Sequence, residues 1–232
     1  MSTKIKSIYK NLKAFILIAL AGFSLLLGSC NVTPTDNTPY YHVSQLFKTY
    51  CLFNVGTQWT YQNDQSGETY EIKVKELNSY IGFHIKDQFS EAYSYDAVEI
   101  FYDTNTLHLS KSLISAGPTP EQGVESNDLY RIFWDDGNFI LTFAPGYKIG
   151  EQQRLGGQEG LYTNLEVLGS FTAGNQTYND VYHSQVIRPE TDADSARYEF
   201  YMAPNKGLVK WMKVYKGETT SYSLKSATIV QN

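Results

Sequence analysis

The apolar positions of this chain change their spacing once, early. Leu46 and Tyr50 stand four apart, which puts them on one face of a helix of one or two turns over Ser44–Tyr50. From Gly56 onward the spacing is two. Gly56–Tyr61 reads as a strand with Trp59 and Tyr61 on one side, and the polar run Asn63–Gly67 turns it back. In Glu68–Val74 the residues Tyr70, Ile72 and Val74 then alternate with Glu71 and Lys73, as in a half-buried hairpin.

The same period recurs to the end of the chain. Tyr93–Tyr102 and Thr106–Ile114 form a second pair, and Leu129–Trp134 and Phe139–Ala144 a third around Asp135-Asp136-Gly137-Asn138. Aspartate and glycine supply the local hydrogen bonding and positive φ of a tight turn. The first arm of this third pair places Tyr130, Ile132 and Trp134 on one face, and alternation puts Phe139, Leu141 and Phe143 together on the second. Further strands are expected over Leu161–Leu168, Gln176–Ile187, Ala196–Met202, Leu208–Tyr215 and Thr219–Val230. About ten short strands joined by polar turns imply an all-β fold: a single antiparallel domain over residues 43–232, a strongly curved sheet or partly closed barrel.

Two stretches carry no strand pattern: Ala116–Asn127, rich in Gly, Pro and acid, and Pro145–Gly160, with five glycines. They flank the third hairpin. A rigid β scaffold commonly presents its binding residues on irregular loops. A working rim at the base of that hairpin is therefore expected, with Tyr130 and Phe143 as ligand-facing aromatics.

The chain start is different in kind. Lys4, Lys6, Lys10 and Lys13 precede an uncharged run, Ala14–Leu27, of 14 residues. A bilayer span needs about 20 apolar residues, so residues 1–29 read as a secretory signal peptide. Leu27-Gly28-Ser29-Cys30 closes the run and resembles the lipobox of bacterial lipoproteins. That resemblance implies cleavage before Cys30, a diacylglyceryl group on its thiol and acylation of the new amine, which ties the protein to a membrane through lipid. Residues 30–42 then form the lipidated N-terminus and tether. Its polar, proline-punctuated stretch Asn31–Pro39 could span about 30 Å at ~3.3 Å per residue. Asn31 stands where an aspartate would mark inner-membrane retention in enterobacterial lipoproteins, so the expected location is the cell envelope, at the outer membrane.

Composition narrows the partners. Removing the leader takes Lys+Arg from 19 to 15 and leaves Asp+Glu at 24. Nucleic-acid affinity rests on Lys and Arg neutralising phosphates, so no nucleic-acid partner is expected. Eighteen of the 19 tyrosines follow the leader. Tyrosine suits half-buried pleated surfaces, packing a ring face while its hydroxyl reaches water. With Cys30 lipidated, Cys51 is left in an apolar setting and reads as a core residue without a disulfide.

Three segments, Gly56–Tyr61, Tyr178-Asn179-Asp180-Val181 and Tyr201–Lys210, resemble the layout of small β-rich cell-envelope lipoproteins of Bacteroidota, which are largely of unassigned function. The likeness implies a fold and a location, and no chemistry. Asp194-Ser195-Ala196 further resembles the acceptor for O-glycosylation in those bacteria, which makes Ser195 a candidate modification site.

Catalytic signatures are absent. There is no G-x-S-x-G elbow and no phosphate loop, since Leu155–Gly160 lacks the lysine. His42, His84, His108 and His183 are scattered, which excludes a zinc site of tight local spacing and leaves open only ligands gathered from distant strands; no metal site and no cofactor is expected. The sequence thus implies a non-catalytic, lipid-anchored domain that binds an envelope glycan, lipid or protein. Its rivals are a lipid or lipoprotein carrier or chaperone with an apolar cavity, and an envelope glycan hydrolase with dispersed carboxylates.

Overall fold

The structure is a computed structural model that describes residues 38–88, 90–105, 107–118, 127–155, 159–189 and 194–231. The expected leader and Cys30 lie outside these residues. Among the described residues no helix is long and apolar enough to cross a membrane.

One open sheet contains thirteen strands, a few more than the alternation suggests. The first meander runs outward from β2 (Gln58–Asn63) through β3 (Thr69–His84), β4 (Tyr93–Thr104), β5 (Leu109–Ser115) and β6 (Leu129–Trp134) to β7 (Phe139–Phe143). The second starts at the opposite edge with β8 (Gln152–Arg154). It returns inward through β9 (Leu161–Ala173), β10 (Gln176–Pro189), β11 (Ser195–Ala203) and β12 (Gly207–Tyr215) to β13 (Glu218–Thr228). Antiparallel pairing of β13 with β2 joins the halves, so chain ends far apart in sequence meet at mid-sheet. The remaining strand, β1 (Tyr40–Tyr41), pairs in parallel with β4, so the end of the expected tether belongs to the domain.

Two departures from the expected strands have local causes. Pro145–Gly160 contains the short strand β8, which lacks any apolar pattern because it is an exposed three-residue edge. The strand expected to end at Val74 continues to His84, past a bulge between Val74 and Glu76. Beyond that bulge both faces of β3 are largely exposed, Ile81 at 68%, so period two has no buried side to mark.

The sheet curls until its β7 edge lies against the inner side of β9 and β10. Side chains make the join where a closed barrel would have a ladder. Ser184 Oγ donates to the Thr142 carbonyl (2.8 Å), and the Arg188 guanidinium donates to the Phe139 carbonyl (3.4 Å) and to Asn138 Oδ1 (2.9 Å). Just past β7, the Ala144 N–H donates to the Tyr162 hydroxyl and the Ala144 carbonyl accepts from Asn164 Nδ2. These buried polar groups satisfy the main chain of an edge strand that would otherwise lose hydrogen bonds on burial.

A short helix, α1 (Gln45–Cys51), packs inside the curl. Seven residues are too few to hold a helix unaided. Ser44 caps its N-terminus by accepting from the Phe47 N–H, and is itself held by Asp128, which accepts from both the Ser44 hydroxyl and its N–H. At the other end Gln231 Nε2 donates to the carbonyls of Thr49 and Leu52. Phe47 stacks on Phe143 with centroids 5.2 Å apart, and Tyr50 packs on Phe143 and Tyr182. Fully burying such a side chain contributes roughly 1.5–3 kcal/mol, so packing holds this helix. Cys51 is buried as a free thiol, and burial, with Asp128 nearby, pushes its pKa well up. That removes the thiolate on which cysteine reactivity depends.

Candidate functional site

The inner face of the sheet carries an apolar crevice of about 50 Å³. Its wall on β6 is the alternating set Tyr130, Ile132 and Trp134, as the pattern of that strand implies. Trp59 and Tyr61 of β2, Ile72 of β3, Tyr102 of β4 and Trp211 of β12 complete it, with Phe53 behind α1. All three tryptophans therefore meet around one small space.

The Trp59 N–H and the tyrosine hydroxyls of this wall are used within the protein. Trp59 Nε1 donates to the Lys206 carbonyl (2.8 Å) and the Tyr61 hydroxyl to the Leu208 carbonyl (2.6 Å). The Tyr102 hydroxyl lies 2.7 Å from Ser112 Oγ and 3.1 Å from the Tyr130 hydroxyl. Burial pushes Tyr102 up to about 12 and raises Tyr61 and Tyr130 well beyond the usual tyrosine range. All three are neutral at any physiological pH. What the crevice offers a visitor is chiefly carbon.

Trp134 and Trp211 also line a second, open groove of about 340 Å³. The other side chains along it come from the tip of the β6–β7 turn and from β10 to β13: Asp136, Asn138, Arg188, Tyr198, Lys213, Thr220 and Tyr222. Trp211 and Tyr222 face each other across β12 and β13, stacked at 4.3 Å with planes 15° apart. Lys213 Nζ sits 5.2 Å from the Tyr198 ring centre and 5.4 Å from that of Tyr215, close enough for cation–π attraction. Asp136 accepts from both the N–H and the Nδ2 of Asn138, which holds its carboxyl below the usual range.

The sequence-derived candidates fall in different places. Tyr130 lines the crevice. Phe143 does not reach a surface: it is 1% exposed and packed under α1. The cause is a bulge. Tyr130 pairs with Phe143 but Arg131 pairs with Leu141, so Thr142 is an extra residue. The expected common face of Phe139, Leu141 and Phe143 is thereby broken. Phe143 joins Ile140 on the inner side, while Phe139 stacks on Phe133 on the other.

The groove also opens at the tip of the β6–β7 hairpin, whereas the expected rim lies at its base. Much of Ala116–Asn127 and residues 156–158 lie outside the described residues. Tyr147, in the second stretch, packs on Tyr162, and its carbonyl accepts from Asn164. Ser195 is exposed and opens β11, and the neighbouring Asp194 pairs with Lys216 at 3.1 Å. Glu166 and Glu199 do approach each other, but through His183, whose two ring nitrogens they contact at 3.3 and 3.2 Å. That trio sits on the opposite face of the sheet from the groove.

The three tryptophans, which from sequence could either stack on a sugar or pack in the core, are brought together here by long-range pairing, Trp211 among them. Its strand alternates like its neighbours, and only the β2–β13 pairing carries it toward β6.

No protein-family model matches this chain, and no curated protein matches it. Among solved structures it is similar to a candidate lipoprotein from Parabacteroides distasonis. That match has 14% identity and a TM-score of 0.33, over 77% of this chain and 99% of the other.

Proposed function

We propose that this protein is a lipid-anchored, non-catalytic binding protein of the cell envelope, whose ligand occupies the groove beside Trp134 and Trp211. The observation that carries the reading is the meeting of these two residues, from opposite halves of the sheet, where a narrow apolar crevice and a wider groove adjoin. Binding sites are typically concave, mostly apolar and fitted with a few polar groups, and Arg188, Lys213 and Asn138 supply those here. The lipobox-like Leu27–Cys30 supports the anchor, and Asn31 the outer membrane.

The size of the crevice bears on the carrier alternative. A dry apolar cavity that takes up benzene measures ~150 Å³, and the crevice is about 50 Å³. The several acyl chains of a lipoprotein do not fit it in this conformation.

The test is a thermal-shift screen of the domain with fatty acids, neutral and acidic sugars, and peptidoglycan fragments, run on wild type and on Trp134→Ala/Trp211→Ala. One class is expected to raise the melting temperature of wild type by several degrees and to leave the variant unmoved. Equal shifts in both proteins, or none in wild type, would remove the groove from consideration.

A further inference from the structure

We infer that the outer half of β3, with the start of β4 and Tyr40 beside it, is a membrane-seating surface that rests in the headgroup layer of the bilayer holding the lipid of Cys30. This rests on the lipid-anchored reading above and adds where the domain touches the membrane.

Three observations converge on it. The first is where the chain enters the domain. The Pro39 carbonyl accepts from the Ser94 N–H, and β1 then pairs in parallel with β4, Tyr40 opposite Ser94. Asp96 fastens the same segment by accepting from the Tyr40 hydroxyl (2.6 Å) and the Val43 N–H (3.1 Å). Because the pairing is parallel, following the chain backwards from Tyr40 leads toward the end of β3, where His84 pairs with Tyr93. Cys30 precedes Thr38 by eight residues, a reach of at most about 25–30 Å. A lipid on Cys30 holds this end of the sheet within about that distance of the bilayer, and so short a link keeps the effective concentration of one at the other high.

The second is what this end exposes. Of the nine large hydrophobic side chains exposed among the described residues, Tyr40, Tyr80, Ile81 and Ile85 gather here, Ile85 at 63%. Exposed apolar residues are ordinary when scattered, but a cluster marks an interaction site. Tyr40, Tyr80 and Ile81 border one open groove of about 360 Å³. Tyr93 meets Tyr41 edge-on, stacks on His84 and adjoins Tyr95. Tyr95 lies over Gly82, where an added Cβ would come within 2.3 Å of its ring. Tyrosines set beside exposed aliphatic side chains are what a membrane interface selects, since the ring is apolar and the hydroxyl is wet.

The third is depth and charge. Pairing of β2 with β3 stops at Gln58 and Lys73, so from Lys75 onward that edge of β3 has no strand partner among the described residues. An open strand edge cannot enter hydrocarbon, where its main-chain groups would find no water. The seat is therefore the hydrated headgroup layer. The charges just beyond β3 are Lys86, Asp87 and Glu91, of which Lys86 and Glu91 pair at 2.6 Å, and residues 31–37 add Asp36 alone. With no excess of cations, the contact rests on apolar and aromatic surface and not on anionic lipid. The β6–β7 turn, which borders the groove of Trp134 and Trp211, lies at the opposite end of the sheet, so a domain seated this way holds that groove away from the bilayer.

The experiment uses the chain from Cys30 onward, since the unit from Thr38 holds its own core and all the strand pairing described. Cys51 is buried, so the Cys30 thiol is the one that couples to maleimide-bearing lipid in phosphatidylcholine vesicles. This reproduces the attachment whether or not the native host makes it. Tryptophan fluorescence is read with lipids brominated close to the headgroup or near the chain end. Relative to wild type, Ile85→Trp is expected to gain at least twofold more quenching from the shallow bromines than Val167→Trp, an exposed position midway along β9. Adding Ile81→Asp should return Ile85→Trp to the Val167→Trp level, with near-ultraviolet dichroism reporting that the fold is kept, and raising salt to about 0.5 M should change nothing. Equal quenching of Ile85→Trp and Val167→Trp would overturn the seat, and stronger quenching by the deep bromines would overturn its depth. Quenching that survives Ile81→Asp would mean that the tether alone brings the strand near lipid, and quenching lost in salt would mean attraction by charge; either overturns the apolar contact. A dimer of the uncoupled chain that Ile81→Asp dissociates would assign the surface to a second copy instead. Failure of the anchor itself is read separately, by labelling of the native precursor at Cys30.

Discussion

At the scale of single residues, several tyrosines have buried hydroxyls, and that has a consequence at alkaline pH. Burial pushes Tyr50 and Tyr102 up to about 12, and burial with Glu199 does the same for Tyr201. A raised folded-state pKa contributes stability that is complete below the unfolded value near 10 and is lost as pH rises through the folded value. The fold should therefore hold to about pH 10 and weaken progressively toward pH 12. Tyrosinate absorbance at 295 nm is expected to show an exposed class titrating near 10 and a buried class appearing only as the dichroism of the sheet is lost. One titration near pH 10 for all tyrosines, with the sheet intact, would contradict this. The alternation at Tyr130, Ile132 and Trp134 was readable from sequence because each residue keeps one neighbour set along a regular strand. Phe143 was not readable, because a one-residue bulge inverts the face and Thr142 gives no local sign of it.

At the level of elements, the hairpins follow from turn chemistry and long-range pairing does not. Gly137 at φ +82° sits where the sequence expects a tight turn, and an added Cβ would meet open space there. Gly160, at the entry to β9, has φ +92°, and an added Cβ would fall 2.2 Å from the Ile187 carbonyl oxygen of β10. Gly137→Ala carries only backbone strain, about 1 kcal/mol or more. Gly160→Ala carries that strain and a collision with main chain, so it should lose at least ~2 kcal/mol. Urea denaturation of the two variants compares them directly; equal losses would mean that β9 shifts to make room. The outer half of β3 was illegible for a related reason, since a strand exposed on both faces leaves no periodic record. Pairing of β2 with β13 is the step that sets Trp134 and Trp211 around one crevice, and no local pattern announces which strands will meet.

For the whole molecule, the sequence speaks most clearly about location and the structure about shape. The lipobox-like segment and the Asp194-Ser195-Ala196 motif predict two modifications that a single intact-mass measurement from the native host addresses. The mature chain is expected to begin at Cys30 with the added mass of its acyl chains, and Cys30→Ala to accumulate as unprocessed precursor that no palmitate analogue labels. Ser195, exposed at the start of β11, is expected to carry a glycan, seen as a hexose-containing increment on its peptide that Ser195→Ala removes. Labelling of the Cys30→Ala precursor would refute the anchor, and an unmodified peptide would refute the glycan.

The join between β7 and the inner side of β9 and β10 gives this molecule a property that a fully laddered barrel lacks. A ladder distributes closure over every residue of two strands, so no single substitution undoes it. Here closure is delegated to Tyr162, Asn164, Ser184 and Arg188, four side chains each of which can be lost without breaking a strand ladder, at the cost of unpaired main-chain groups at β7 and Ala144. The hairpin they fasten carries Trp134, Asp136 and Asn138, which are members of the groove. Ligand preference and the tightness of the roll can thus diverge together among descendants of this chain, through changes at a handful of codons, while the thirteen-stranded frame is inherited unaltered.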